Sequence, residues 1–486
     1  MRALQGTRPG VTNLRPYVLL TTEGTYPYSV GGVSLWCDFI VKGLPDIQWR
    51  ILPVVAGGLR RALAFELPAH AVLAGKIDLW SEQAPDWRWS TRRVAGAHTG
   101  LPGVLVRELM SWHGDVGALT ESLVWCRLRP SRVRRVFRSV QGWKSFLGGL
   151  HEVLGERADG AGAAPPLDVI DAARLYQTLY WVARAAAVPT PRSDVLHVTA
   201  AGWAVIPALV DQALHGTPLL VTEHGVYVRE AYLAAARSEG SPQARFVSTR
   251  LARSFAHAAY AAADVVAPVV DANARWEEGL DVDPAKIRVI YNGVRVSGQP
   301  SPPPGTRTVV SVGRIDPLKD VHTMLRVMAE VLRLVPDAHF RHYGPVTEGQ
   351  DAYGDSCLVL HEQLGLADRF RFMGTTSDPD GAVREADVVL MTSISEALPL
   401  SILEAMAQAR PVVATGVGGV SDVVRGCGFI APPGDVHQLA VGVATLLRDP
   451  PLADQLGKRG HARVARLFNQ HDCLDSYREL LTDLAA

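Results

Sequence analysis

Two carboxylates, Glu396 and Glu404, with seven residues between them, carry the strongest chemical signal in the chain. On one helix they would lie two turns apart, about 12 Å at 1.5 Å per residue, too far to work on a single bond as the carboxylate pair of a glycosidase does. The apolar run 388–391 before them is short and β-branched enough for a buried parallel strand. A helix is then expected to begin near Pro399, a residue suited to the first helical position because its missing N–H would be unpaired there. The two carboxylates therefore bracket a helix N-terminus. There the free N–H groups of Leu400 and Ser401 and the positive end of the helix dipole would attract a diphosphate. Carboxylates on either side of such a site would hold hydroxyl groups. The plain alternative is a helix with one cap-side and one surface glutamate.

Other residues could serve the same chemistry. Arg314 and Lys319, in SVGRIDPLKD, directly follow an expected strand; an arginine forks two phosphate oxygens and a lysine adds a point charge. His224 ends the strand pattern of PLLVTEHG beside a glycine. Gly31 and Gly32 sit where a strand gives way to a helix, allowing backbone to approach an anion or a sugar, although such a pair is often only a tight turn. Metal ligation is not expected. Asp281 with Asp283 and Asp378 with Asp380 lie in polar turns, and His339 with His342 on a strand pattern, so all six read as structural.

These residues need scaffolds, and 486 residues are enough for two domains, with 48% hydrophobic and 20% charged residues for an ample core. Lys plus Arg equals Asp plus Glu at 49 each, so no global field recruits nucleic acid or an anionic membrane, and any such contact needs a local patch. Five cysteines without CxxC spacing read as reduced core thiols of a cytosolic protein. The first 21 residues hold a four-residue apolar run, too short for a signal peptide, and the longest uncharged apolar segment, 196–210, is too short to span a bilayer.

Along the chain, strands are expected at 17–21, 49–55, 195–199, 218–225, 263–269 and 286–290, with helices around 33–44, 203–214, 242–262 and 271–279. This alternation describes a Rossmann-like first domain over 1–295, enlarged by a long segment at about 57–188 that holds seven of the 11 tryptophans. Within that segment Val133, Val136, Phe137, Val140, Trp143 and Leu147 form one helical stripe, backed by Arg132, Arg134, Arg135, Arg138 and Lys144. Such a basic amphipathic helix can lie on a membrane, and is more often an ordinary surface helix. A linker at 296–306 includes four prolines in nine residues. Six further strands, in TVVSVGRI, AHFRHYG, RFRFMG, DVVLMT, PVVAT and GFIAP, make a second α/β domain over 307–465, and 466–486 is a helix expected to cross back to the first. In open parallel sheets ligands bind beyond the carboxyl ends of the strands, where Gly31, Gly32, His224, Arg314 and Glu396 all fall.

The spacing of Glu396 and Glu404 resembles the Glu-x7-Glu motif of retaining sugar-nucleotide glycosyltransferases of family 4. The stretches TEGTYPYSVGGVS, LLVTEHGVYVRE, IRVIYNGV, VGRIDPLKD and LMTSISEALPLSILEAMA extend the resemblance over the whole chain to the PelF-like members, which act in Pel exopolysaccharide synthesis. That resemblance implies a GT-B fold, two Rossmann-like domains facing across a cleft, with an enlarged N-terminal domain. It implies a UDP-hexose donor, a polysaccharide acceptor, no metal or other cofactor, and a cytoplasmic enzyme recruited to a membrane-bound export complex. Glu396 would touch the donor sugar and Glu404 the ribose hydroxyls, with Leu398, Leu400 and Ser401 completing the donor site together with Gly31 and Gly32. Arg314 and Lys319 would neutralise the diphosphate, and His224 would lie against the sugar near the reacting carbon. The departing β-phosphate would take the acceptor proton on the same face, so that configuration is retained without a protein nucleophile.

Three positions depart from the family pattern. Ala397 stands where Gly is frequent, Gln408-Ala409 replaces Ala-Gly, and Gly416 stands where PelF-like sequences carry Asp. They leave room for another family 4 synthase with a different acceptor, or for a non-catalytic scaffold subunit of a membrane synthase. A two-Rossmann sugar-nucleotide epimerase finds no support in the pairing of His224 with Glu-x7-Glu.

Overall fold

In the computed structural model the described residues are 15–24, 26–56, 62–80, 97–155, 165–238, 240–296, 301–347 and 349–486. They build two parallel sheets. The first contains β1 (Tyr17–Glu23), β2 (Gln48–Ala56), β3 (Ala71–Leu73), β4 (Ile77–Leu79), β5 (Val195–Val198), β6 (Leu219–Glu223) and β7 (Val265–Pro268), in the order β3-β2-β1-β5-β6-β7 with β4 also on β2. The second contains β8 (Thr308–Val312), β9 (His339–Tyr343), β10 (Phe370–Gly374), β11 (Val388–Met391), β12 (Val412–Thr415) and β13 (Gly428–Ala431), in the order β10-β9-β8-β11-β12-β13.

The near-continuous apolar strands follow from burial on both faces. In the second sheet neighbouring residues part to opposite cores. Val309, Val388, Leu390 and Val413 pack with Leu325, Met328 and Phe340. Val310, Val389, Met391, Val412 and Ala414 pack with Ile402, Leu403 and Met406. The period of two that puts successive side chains on opposite faces is thus filled by helices on both.

The chain forms two compact units, one of residues 1–222, 227–266 and 478–486, the other of 223–226 and 267–477. The division falls upstream of the Pro-rich stretch, of which 297–300 lie outside the described residues, as do 57–61, 81–96 and 156–164 of the long tryptophan-bearing segment.

That segment is largely helical, with helices Leu101–Met110, Val116–Leu128, Pro130–Phe137, Val140–Gly155 and Val169–Ala187. The single stripe expected from Val133 to Leu147 is instead two helices. Ser139 breaks it: its Oγ donates to the Val136 carbonyl at 2.7 Å and accepts from Gly142 N–H at 2.9 Å, capping the second helix. The turn changes the phase, so Val133, Val136 and Phe137 stay buried while Val140 and Leu147 are exposed. The expected strand at 286–290 is a 3-10 turn, Pro284–Lys286, followed by extended chain whose Ile290 N–H bonds the Pro268 carbonyl. The short strands β3 and β4 have no counterpart in the periodicity because three residues carry too few positions to show one, and the helix Tyr227–Arg237 has none because it buries only Val228.

Candidate functional site

In the second unit the loops after β8 and β11 are stapled together. Ile394 N–H donates to the Leu318 carbonyl at 2.8 Å, and the buried Thr392 hydroxyl bonds the Lys319 and Asp320 carbonyls, both at 3.0 Å. Thr415 at the end of β12 donates its hydroxyl to the Ser393 carbonyl at 2.5 Å. The Lys319 side chain is closed down by this arrangement onto Glu396, with Nζ in a short ion-paired hydrogen bond to Oε1. The structure therefore joins two of the residues singled out in sequence. Arg314, on the same β8 loop, is exposed. Its loop is held by an Asx turn, Asp316 Oδ1 accepting from Leu318 N–H at 2.8 Å, and by Ile315 N–H on the Pro345 carbonyl.

The helix after Glu396 is Leu400–Ala407, with Pro399 as its N-cap rather than its first helical residue and no side chain capping it. The N–H groups of Leu400 and Ser401 precede the first turn's acceptors, so an anion is their natural partner. Glu404 lies half-buried on this helix, and burial, with the nearby Asp380 carboxylate adding to it, pushes its carboxyl up to about 6. Leu398 and Ala397 are buried beneath the loop.

The backbone of Glu396 and Ala397 rests on Gly418 and Gly419. Gly419 N–H donates to the Ala397 carbonyl at 2.8 Å. A Cβ on Gly418 would lie 1.8 Å from the Glu396 carbonyl oxygen, and the residue holds φ at +52°. Only glycine accepts both demands. The departures from the family pattern also find their surroundings. At Gly416 a Cβ would fall 2.8 Å from the Ile430 side chain and 2.9 Å from Ser421 Oγ, so an aspartate would have to displace both side chains. Gln408 donates to Asp380 at 3.2 Å, and Ala409 takes φ +55°, the left-handed residue after the helix where glycine is favoured.

His224 follows β6 and is half-buried, with burial pushing its imidazole down to about 3, so the ring is neutral at pH 7. Its folded pKa lies below the unfolded value near 6.5, so this residue opposes folding increasingly as pH falls from 6.5 towards 3. The first unit carries Gly31, the extended N-cap of the helix Gly32–Gly43, and Gly32, where a Cβ would meet nothing within 4 Å. That backbone is open, and packing does not require either glycine.

Several of the polar residues set aside in sequence have local partners. Asp283 and Asp378 cap short helices, and His339 Nε2 accepts from the Arg369 guanidinium at 3.2 Å. Among the described residues no group of three or more His, Cys, Asp or Glu is arranged to hold a metal ion. Sequence reasoning passed over Gly418, Gly419, Thr392 and Thr415 as site supports. A paired glycine three residues beyond a strand end was the visible signal for the first two; the threonines had none.

Two parallel sheets with helical crossovers, with an anion-ready helix start beyond the second, are the architecture of the GT-B class of glycosyltransferase folds. Residues 297–463 match the family model described as glycosyl transferases group 1, and residues 16–285 match one described as a domain of unknown function, DUF3492. The second of these matches covers more than half of the chain, which therefore belongs to the DUF3492 family, joined to a glycosyltransferase group 1 domain. The D-inositol 3-phosphate glycosyltransferase of Kineococcus radiotolerans is 33% identical over 253 residues, 45% of this chain, and that of Nocardia farcinica is 33% identical over 189 residues, 37% of this chain. The chain spans about half the length of these curated relatives, 58% and 42%. Among solved structures, Anabaena HepE with UDP and glucose superposes with TM-score 0.60 at 16% identity, covering 96% of this chain and 99% of that one. Sucrose-phosphate synthase from Thermosynechococcus elongatus superposes with TM-score 0.60 at 19% identity, covering 97% and 99%.

Proposed function

We propose that this chain is a retaining hexosyltransferase that moves a hexosyl unit from a UDP-sugar to a hydroxyl of a growing, Pel-like exopolysaccharide. The observation that carries the reading is the Lys319–Glu396 pair set beside the uncapped N-terminus of Leu400–Ala407. A cation and free N–H groups suit a diphosphate, and the adjoining carboxylate suits sugar hydroxyls. Glu404 takes the ribose hydroxyls, Leu398 lines the nucleotide, and His224 meets the sugar as a neutral imidazole.

In the reaction the bond from the anomeric carbon to the β-phosphate oxygen breaks, and its electron pair leaves with UDP. The acceptor oxygen forms the new bond on the same face, and its proton passes to the departing phosphate. Charge developing on that phosphate is met by Arg314, Lys319 and the helix start, so no metal is needed. Full turnover in excess EDTA is the expected result, and dependence on added Mg²⁺ or Mn²⁺ would contradict it.

The deciding experiment is UDP or GDP release from a panel of UDP- and GDP-hexoses by the purified protein, with Glu404→Ala as control. Release confined to one or two UDP-hexoses and lost in the control supports the transferase. Neither binding nor release would favour a non-catalytic scaffold subunit.

Glu404 also gives a pH test. Its carboxylate accepts hydroxyl hydrogens, and protonation replaces an acceptor by a donor. With a value of about 6 in the folded chain, lowering the pH from 7 to 5 should weaken UDP binding by about tenfold. Glu404→Gln should bind weakly at both pH values and lose the slope, as read by calorimetric titration. Stability has the opposite sign: the raised value favours the fold below about 4.5, and this contribution is lost as pH rises through 6.

Recruitment to an inner-membrane export complex, the partner arrangement of PelF-like enzymes, would use the basic surface of Pro130–Phe137. Arg132, Arg134 and Arg135 are exposed there, while Arg138 is half-buried. No helix among the described residues is long and apolar enough to cross a membrane. Replacing Arg132, Arg134 and Arg135 with glutamine should lower binding to vesicles containing phosphatidylglycerol by about a hundredfold, at about 1 kcal/mol per basic residue. UDP release in solution should be unaffected, and unchanged vesicle binding would remove the surface from consideration.

A further inference from the structure

Four strands of the first sheet end in residues that touch one another. Glu23 closes β1, Trp80 follows β4, Trp203 and Ala204 follow β5, and Tyr227 opens the helix after β6. The Tyr227 hydroxyl donates to Glu23 Oε1 at 2.9 Å, and the Ala204 N–H donates to Oε2 at 3.4 Å. Gly202 makes this meeting feasible, since a Cβ there would fall 2.3 Å from Glu23 Oε2 and 2.4 Å from the Tyr227 ring. The indole of Trp203 meets Trp80 edge to face with 6.1 Å between ring centroids, and Trp80 also leans on Trp181 at 5.6 Å.

Two features of this cluster serve no packing purpose. Trp80 is 40% exposed although two other rings hold it. It also adopts φ +63°, a left-handed conformation that bulky residues avoid and that persists only where the surroundings impose it. An indole fixed in this way is a rigid apolar plate open to solvent. Joined to it through Trp203 is a half-buried carboxyl with a phenolic hydroxyl. Small-molecule sites combine such an apolar wall with a few convergent polar groups. A pyranose ring matches both, because its C–H face is flat and apolar while its hydroxyls lie at the rim.

We propose that Trp80, Trp203, Glu23 and Tyr227 form a saccharide subsite of the first unit, which holds the terminal pyranose of the acceptor by stacking on Trp80 and by hydroxyl bonds to Glu23. The role as acceptor site rests on the transferase reading above; saccharide binding itself does not.

Binding is measured first without any donor, by saturation-transfer NMR on the full chain with maltose, cellobiose, lactose and N,N′-diacetylchitobiose as probes. At least one disaccharide should show transfer, Trp80→Ala should abolish it, and Trp80→Phe should retain part of it, with unchanged melting confirming that the phenylalanine variant folds. Glu23→Gln should weaken binding about threefold or more, because the amide leaves one oxygen where the carboxyl presents two. No transfer to any of the four on the wild-type protein, or equal transfer in Trp80→Ala and Glu23→Gln, overturns the subsite. With an active donor, Trp80→Phe should raise the acceptor KM several-fold while kcat at saturating acceptor stays within about twofold; an unmoved KM overturns it. Should the wild type release no UDP from any donor yet lose disaccharide binding in Trp80→Ala, the subsite stands and the transferase reading falls.

Discussion

Lys319→Ala is expected to lower UDP-hexose turnover by about 10² to 10³-fold, the usual cost of removing one preorganised stabiliser of developing charge. Arg314→Ala should cost about as much for the same reason. Lys319 does not have to be recruited when the donor arrives. The carbonyls of Lys319 and Asp320 are fixed by the Thr392 hydroxyl, and its ammonium already rests on Glu396. Both side chains of this pair are more than two-thirds buried, with 28% and 13% exposed, so its field is only partly screened by water. Lys319→Arg keeps the charge but not the reach, and should recover part of the loss. Near-normal turnover in either alanine variant would reject the role, and an unchanged melting temperature would show that a loss is not one of folding.

Gly418→Ala should be nearly as damaging although the residue bears no functional group. Its new Cβ would fall 1.8 Å from the Glu396 carbonyl oxygen and 3.1 Å from that of Ala397, both backbone atoms without a flexible end to turn aside. The Glu396 loop has to move, and displacement of about 1 Å at a site costs on the order of 10² in rate. Overpacking and a left-handed alanine together should also cost about 2–4 kcal/mol of stability. Gly426→Ala is the matched control. It shares the positive φ, +73°, but a Cβ there meets nothing within 4 Å, so it should cost about 1–2 kcal/mol and leave kcat/KM alone. Equal activity in the two variants would show that Gly418 does not position Glu396.

Those two glycines mark how far local pattern reaches. In the second sheet β8, β11 and β12 were legible as β-branched runs, the composition that burial on both faces demands, while β9 and β10 showed as apolar residues alternating with polar ones. The loops bearing Arg314, Lys319 and Glu396 followed from the strands, as loop positions always do once strand ends are placed. The helix bearing Glu404 was legible as well, although its start moved by one residue to Leu400. The stripe from Val133 to Leu147 misled. Periodicity cannot register a serine that caps a new helix, and Val140 and Leu147 turned outward as a result.

By itself, then, the sequence determined the two α/β halves, the carboxylate spacing and the cationic loop, all set by residue type and short-range periodicity. The tertiary structure alone decided which of these meet. Lys319 and Glu396 are 77 residues apart, and Glu23 and Tyr227 are 204 apart. The side chains come together only because parallel strands deliver all their carboxyl ends to one edge of a sheet. The same is true of the glycine beneath Glu396 and of the exposed indole of Trp80. Their importance lies in what stands opposite them across the fold, and no run of neighbouring residues records that.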